Sequence, residues 1–113
     1  MSRGFLNKAA FELHQAVERY ITAYLLVKTG YRPKTHDLQK LYERIVGLDD
    51  SFSNWFNFSE KDEQENFELL KRAYVDARYS NEYQITKAKL GDLETKVLEL
   101  KNLVMGSCNK LIR

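Results

Sequence analysis

One proline, five glycines and one cysteine are all that 113 residues contain, and each scarcity excludes something. So few turn formers leave little material for a fold of many short strands, which favours helices. The lone cysteine, Cys108, rules out an internal disulfide and any cysteine-rich metal site. No secretory leader pattern and no uninterrupted apolar span is present, so the expectation is a reducing, cytoplasmic setting without a membrane. Charge of one sign is lacking too. Eighteen basic against sixteen acidic residues give a net charge of +2, too balanced to mark a nucleic-acid or membrane surface by charge alone.

Catalytic and cofactor motifs are equally sparse. The two histidines, His14 and His36, do not pair with each other or with Cys108 at zinc-ligand spacing. There is no glycine-rich phosphate loop and no serine-elbow motif. The sequence therefore names no cofactor, no metal and no catalytic residue.

What is present is a helical pattern. The stretch from Ala9 to Leu41 reads as one long apolar helix, a tight turn and the capped start of a second helix. Between Asn7 and Thr29 apolar residues cover most of the helix circumference. They leave a narrow polar stripe of Lys8, Glu12, Gln15, Arg19 and Thr22. Such a helix needs partners on most sides. Its apolar start so close to residue 1 raises the expectation that the natural domain begins upstream.

Gly30 supplies a left-handed helix stop, and Pro33 keeps its predecessor out of helical geometry. Thr35 then reads as the N-cap of a second helix with Asp37 in its first turn. Leu38, Leu41, Tyr42 and Ile45 form the apolar face of that helix, which ends near Gly47. The segment 48–58 holds Phe52, Trp55, Phe56 and Phe58, read as rings packed onto the bundle, with a base-stacking platform as the alternative. Acidic neighbours Asp49, Asp50 and Glu60 favour the packing reading.

Ser59 with Asp62 resembles a capping box opening a third helix, whose buried face is Phe67, Leu70, Tyr74 and Ala77. That helix is expected to end near Arg78 and Tyr79. Thr86 opens the last helix, and Leu90, Leu93, Val97, Leu100 and Val104 step by three, four, three and four. This seam packs either inside the bundle or across a dimer. Gly106 and Ser107 are expected to end it. The whole is a single all-α domain, an up-and-down bundle of four to five helices.

Three polar constellations stand out. His14 and Glu18, four apart on one helix face, can form an ion pair or an acid–base pair, or a plain hydrogen bond in a partly buried site. His36 beside Lys34 and Asp37, at a helix start with free N–H groups, could hold a phosphate. Arg78 and Tyr79 lie at a helix end, where a cation complements the dipole without any ligand.

The blocks AAFELHQAVERYITAYLL, GYRPKTHDLQKL and AYVDARYSNEYQIT, in that order and spacing, resemble the HEPN family. The name refers to higher eukaryotes and prokaryotes and to proposed nucleotide binding. The resemblance implies a helical bundle, often a homodimer, that accompanies a minimal nucleotidyltransferase as a fused domain or a separate subunit. It carries over Lys34, Thr35, His36, Asp37, Arg78 and Tyr79 as a candidate nucleotide-facing or RNA-facing patch. The family also contains metal-independent ribonucleases, many of them toxins, with an arginine, four to six residues and a histidine. Here the pattern fails. Arg32 precedes His36 with only three residues between, and Arg3 stands ten residues short of His14. The expectation is thus an accessory module without that ribonuclease motif, with a degenerate nuclease or a dimerisation module as alternatives.

Overall fold

The structure is a computed structural model that describes residues 3–74 and 85–112. Among these, the chain forms four α-helices: α1 (Arg3–Thr29), α2 (Leu38–Leu48), α3 (Lys61–Arg72) and α4 (Lys87–Ile112). A short 3-10 turn (Asp50–Asn54) joins α2 to the loop before α3. No strand occurs among the described residues, and the domain is an all-α bundle. No helix is long and apolar enough to cross a membrane among the described residues.

The long helix α1 is the spine. It packs most extensively on α4 and also meets α2 and α3. Ala10, Val17, Ile21, Tyr24 and Leu25 are buried in this core. The expected enclosure fails toward the C-terminal end of α1. Leu26 and Val27 are about half exposed, because no described helix covers that last turn. Thr22, placed on the polar stripe by spacing, is instead buried, with its hydroxyl donating to the Glu18 carbonyl at 2.8 Å. A helix-internal bond of this kind removes the cost of burying a hydroxyl.

Gly30 ends α1 as its sequence context predicts. Its φ of 75° lies in the left-handed region, and its N–H donates to the Leu26 carbonyl at 2.8 Å. Gly106 does not stop α4, which continues to Ile112. Nothing lies within 4 Å of where its Cβ would stand, so this glycine is a tolerated helical residue on an open face. A helical glycine costs about 1 kcal/mol relative to alanine, too little to break a helix anchored by its packed seam.

Two caps also differ from the sequence expectation. Asp37, not Thr35, caps α2: its carboxylate accepts from Gln39 N at 3.0 Å and Lys40 N at 3.4 Å. Thr35 acts one step earlier, its hydroxyl accepting from Asp37 N. At α3 the N-cap position falls to Glu60, which makes no side-chain cap bond. The helix starts at Lys61, which leaves Ser59 one residue before the cap, where its N–H donates to Asn57 Oδ1. Glu63 and Gln64 reach back instead, to the Asn57 N–H and the Phe58 carbonyl. Helix α3 ends at Arg72, before the expected Arg78–Tyr79 boundary, and Ala77, Arg78 and Tyr79 lie outside the described residues.

The apolar seam of α4 faces inward. Leu90, Leu93, Val97, Leu100 and Val104 all belong to the one buried cluster. The dimer alternative for this seam is therefore overturned: the seam is already spent within the monomer. Thr86 caps α4, accepting from Lys89 N at 3.1 Å.

Three rings of the aromatic segment are core, while Phe58, 39% exposed, packs at its edge against Tyr42 and Phe67. Phe52, Trp55 and Phe56 are buried, and edge-to-face contacts link Trp55 to Phe56 and Tyr42. The indole N–H of Trp55 donates to the Lys96 carbonyl at 2.6 Å, while Lys96 Nζ donates to the Trp55 carbonyl at 2.8 Å. The same ammonium pairs with Glu63 and sits 4.9 Å from the Phe56 ring centre. The loop is thereby stapled to α4, with α3 joined through Glu63.

Candidate functional site

The chain between α1 and α2, residues 30–37, has no regular hydrogen-bonded structure and runs back along α1. Pro33 within it is buried, whereas Arg32, Lys34 and His36 are exposed. This alternation, the signature of extended backbone, sets three cationic or ionisable side chains on the outer edge of the segment. One end of that edge meets Glu18; the other meets Arg19.

At the first end, His36 Nδ1 donates to Glu18 Oε1 at 2.7 Å. The ring of His36 lies parallel to Tyr74, 4.6 Å between centres and 11° between planes. Its side chain stays 57% exposed, so it is oriented but reachable by a solute. An acceptor on one ring nitrogen and a stacked face fix the ring and leave Nε2 as the nitrogen without that anchor.

Behind it lies His14, fully buried. Its Nδ1 bonds the Leu70 carbonyl at 2.9 Å, and since a carbonyl only accepts, Nδ1 carries the proton. Its Nε2 is 3.7 Å from Glu18 Oε2, beyond hydrogen-bond range, and neither atom has a hydrogen-bond partner among the described residues. The i,i+4 spacing suggests a His14–Glu18 bond, but Glu18 gives its short bond to His36 instead. Burial lowers the His14 pKa below 6.5, opposed by the Leu70 carbonyl, the Glu18 charge and the His36 backbone. His14 is thus a neutral ring whose Nε2 lone pair faces a carboxylate oxygen. Tyr74 touches this ring as well, 5.3 Å between centres.

At the second end, a small pocket of about 220 Å³ opens between Arg19 and Arg32. Thr22, Ala23 and Leu26 complete its lining among the described residues. Larger apolar grooves, about 410 Å³ each, flank α2; one is bordered by Tyr31, Pro33 and Leu48, the other by Val46 and Phe58.

The structure thus brings Lys34, Thr35, His36 and Asp37 onto one short stretch beside α1. Arg78 and Tyr79 fall outside the described residues. The Asp37 carboxylate occupies the first N–H groups of α2, the groups that would otherwise face an anion. Spacing along the chain did not reveal Glu18 as the holder of His36, nor Tyr74 as its stacking partner. Both contacts are made between elements. No group of three or more histidine, cysteine or acidic side chains suited to a metal ion occurs among the described residues.

These features define an all-α module with an oriented, solvent-reachable histidine on its inter-helix segment. The HEPN domain model matches residues 1–105, and the chain belongs to the HEPN domain family. No curated protein matches the chain.

Proposed function

We propose that this chain is a HEPN accessory module that binds a nucleotide or RNA and associates with a minimal nucleotidyltransferase, fused or as a separate subunit. The observation that carries the binding part is His36, exposed yet fixed by Glu18 at 2.7 Å and by its stack on Tyr74. A plain surface histidine gains nothing from such positioning. A ring held in place beside Lys34 can stack on a base or donate to a phosphate without first losing rotamer freedom. The proposed binding residues are Lys34, Thr35, His36 and Asp37, together with Arg78 and Tyr79, which lie outside the described residues.

Calorimetric titration of the purified domain with ATP and with a short single-stranded RNA tests this. Binding that is lost in a His36→Ala, Arg78→Ala double variant supports the patch. Silence with both ligands from a well-folded domain contradicts it and leaves an assembly module whose chemistry resides in its partner. Co-purification with a minimal nucleotidyltransferase tests the association separately.

A second reading is favoured by one feature, the Glu18–His36 pair. A carboxylate orienting an exposed imidazole is the arrangement of a general base, and Arg32 lies four residues away in sequence. On this reading the domain is a metal-independent ribonuclease with a degenerate motif. RNA cleavage in excess chelator, abolished by His36→Ala, would establish it, and intact RNA after prolonged incubation would exclude it.

A further inference from the structure

We propose that the pocket between Arg19 and Arg32 is a phosphate site, holding one phosphate group of a nucleotide or of an RNA backbone. This deepens the nucleotide-binding reading above by placing the anionic end of the ligand, and it rests on that reading for the identity of what carries the phosphate.

The argument begins with charge. Arg19 projects from α1 and Arg32 from the segment returning to α2, and both line one concavity. Two cationic side chains lining one concavity give it a positive field that attracts an anion. Here no described carboxylate pairs with either. Among the described residues Arg19 has only a long bond to Gln15 Oε1, 3.4 Å, and no acidic residue is among the described lining. The nearest acid along α1, Glu18, is committed to His36. Two arginines around a pocket, without a carboxylate partner among the described residues, suit an anion, and the planar fork of each matches two phosphate oxygens.

Size then narrows the ligand. At about 220 Å³ the pocket falls below the roughly 300–1,000 Å³ of sites that enclose a whole small molecule. It fits one group of a ligand, not a complete nucleotide. The remainder must lie outside, and on this proposal it runs along the exposed edge of residues 32–36, past Lys34 and His36. Thr22 uses its hydroxyl hydrogen on the Glu18 and Arg19 carbonyls, so it offers an anion no donor. The two arginines carry the recognition. The alternative place for a phosphate, the N-terminus of α2, is filled by the Asp37 carboxylate, which repels an anion there.

Titration calorimetry at low salt separates the possibilities, with inorganic pyrophosphate, ATP, adenosine and a short RNA as probes. The proteins are the unaltered chain, Arg19→Gln with Arg32→Gln, and Arg19→Lys with Arg32→Lys. Both arginines are exposed, so the variants keep the helical circular-dichroism spectrum. The expected result is that ATP and pyrophosphate bind, adenosine does not, and the glutamine pair weakens both by about tenfold or more. The lysine pair retains part of the affinity, because it keeps the charge and loses the fork. ATP binding with no RNA binding assigns the phosphate to a free nucleotide; the converse assigns it to RNA. Pyrophosphate binding that the glutamine pair abolishes, without ATP or RNA binding, upholds the pocket and ends the nucleotide reading. ATP or RNA binding that the glutamine pair leaves unchanged overturns the pocket and spares that reading. No binding of any phosphate probe overturns the pocket as well.

Discussion

Two clusters of ionisable side chains in this bundle obey the same electrostatics and end differently. In the Trp55–Lys96–Glu63 cluster the ammonium has a carboxylate, a carbonyl and an aromatic face, and the indole N–H has its acceptor. In the His14–Glu18–His36 cluster a buried imidazole nitrogen and a carboxylate oxygen face each other at 3.7 Å with no hydrogen between them. The first cluster is closed and holds the aromatic loop to α4. The second leaves polar atoms without partners among the described residues, beneath an exposed ring, the pattern expected where stability yields to binding. The difference teaches where to look for function: beside the incomplete cluster, not beside the complete one.

The comparison can be broken most forcefully at the closed cluster. Trp55→Ala removes the largest fully buried side chain and its bond to the Lys96 carbonyl, and should cost about 3–5 kcal/mol in urea denaturation. A loss under about 1 kcal/mol would mean that the aromatic loop is not part of the cooperative core.

Acid should separate the two clusters. His14 has a folded pKa below its unfolded 6.5, so the unfolded chain binds the extra proton first. The stability linked to keeping this ring neutral is present above 6.5 and is lost as pH falls through the lowered folded value. Glu63 is also depressed, held below 4.5 chiefly by its hydrogen bond to Lys96. Its contribution is present above 4.5 and disappears only as pH falls through a lower value. Two acid steps are therefore expected in urea midpoints. His14→Gln, which can still donate to the Leu70 carbonyl, should flatten the upper step and leave the lower one. An unchanged upper step in that variant would show that another group controls it.

Smaller effects sharpen the inter-helix segment. Asp37→Ala should cost about 1 kcal/mol through the lost cap, and Thr35→Ala no more than about half of that. Equal losses would restore Thr35 as the principal cap. Glu18→Gln should change stability by less than about 1 kcal/mol, because His36 is largely solvent-exposed. In proton NMR it should nonetheless loosen the His36 ring relative to Tyr74. A His36 ring equally ordered in the variant would assign its position to the Tyr74 stack alone.

The helices and their core were legible in the sequence because each follows from local pattern. The seam from Leu90 to Val104 has coiled-coil spacing, and Gly30 next to Pro33 leaves α1 nowhere to go. The caps were less legible, since Thr35 and Asp37 are both good N-caps two residues apart and only the path of the backbone chooses. Gly106 misled for the opposite reason: the packed α4 seam overrides a weak local signal. The candidate site was legible only in part. His36, Lys34 and Arg32 announce themselves by type, but Glu18 has a local candidate partner at His14 and takes the distant one. No spacing rule brings Arg32 to Arg19, because that approach depends on the return of residues 30–37 along α1.

The most direct test is a two-dimensional amide NMR titration of the isotopically labelled domain with ATP. The account predicts shifts concentrated at Arg19, Arg32, Lys34 and His36, with the Trp55 indole and Lys96 amide signals unmoved. Shifts centred on Trp55 and Lys96, or no shifts with millimolar ATP and none with a short RNA, would contradict the claim that the incomplete cluster marks the functional face.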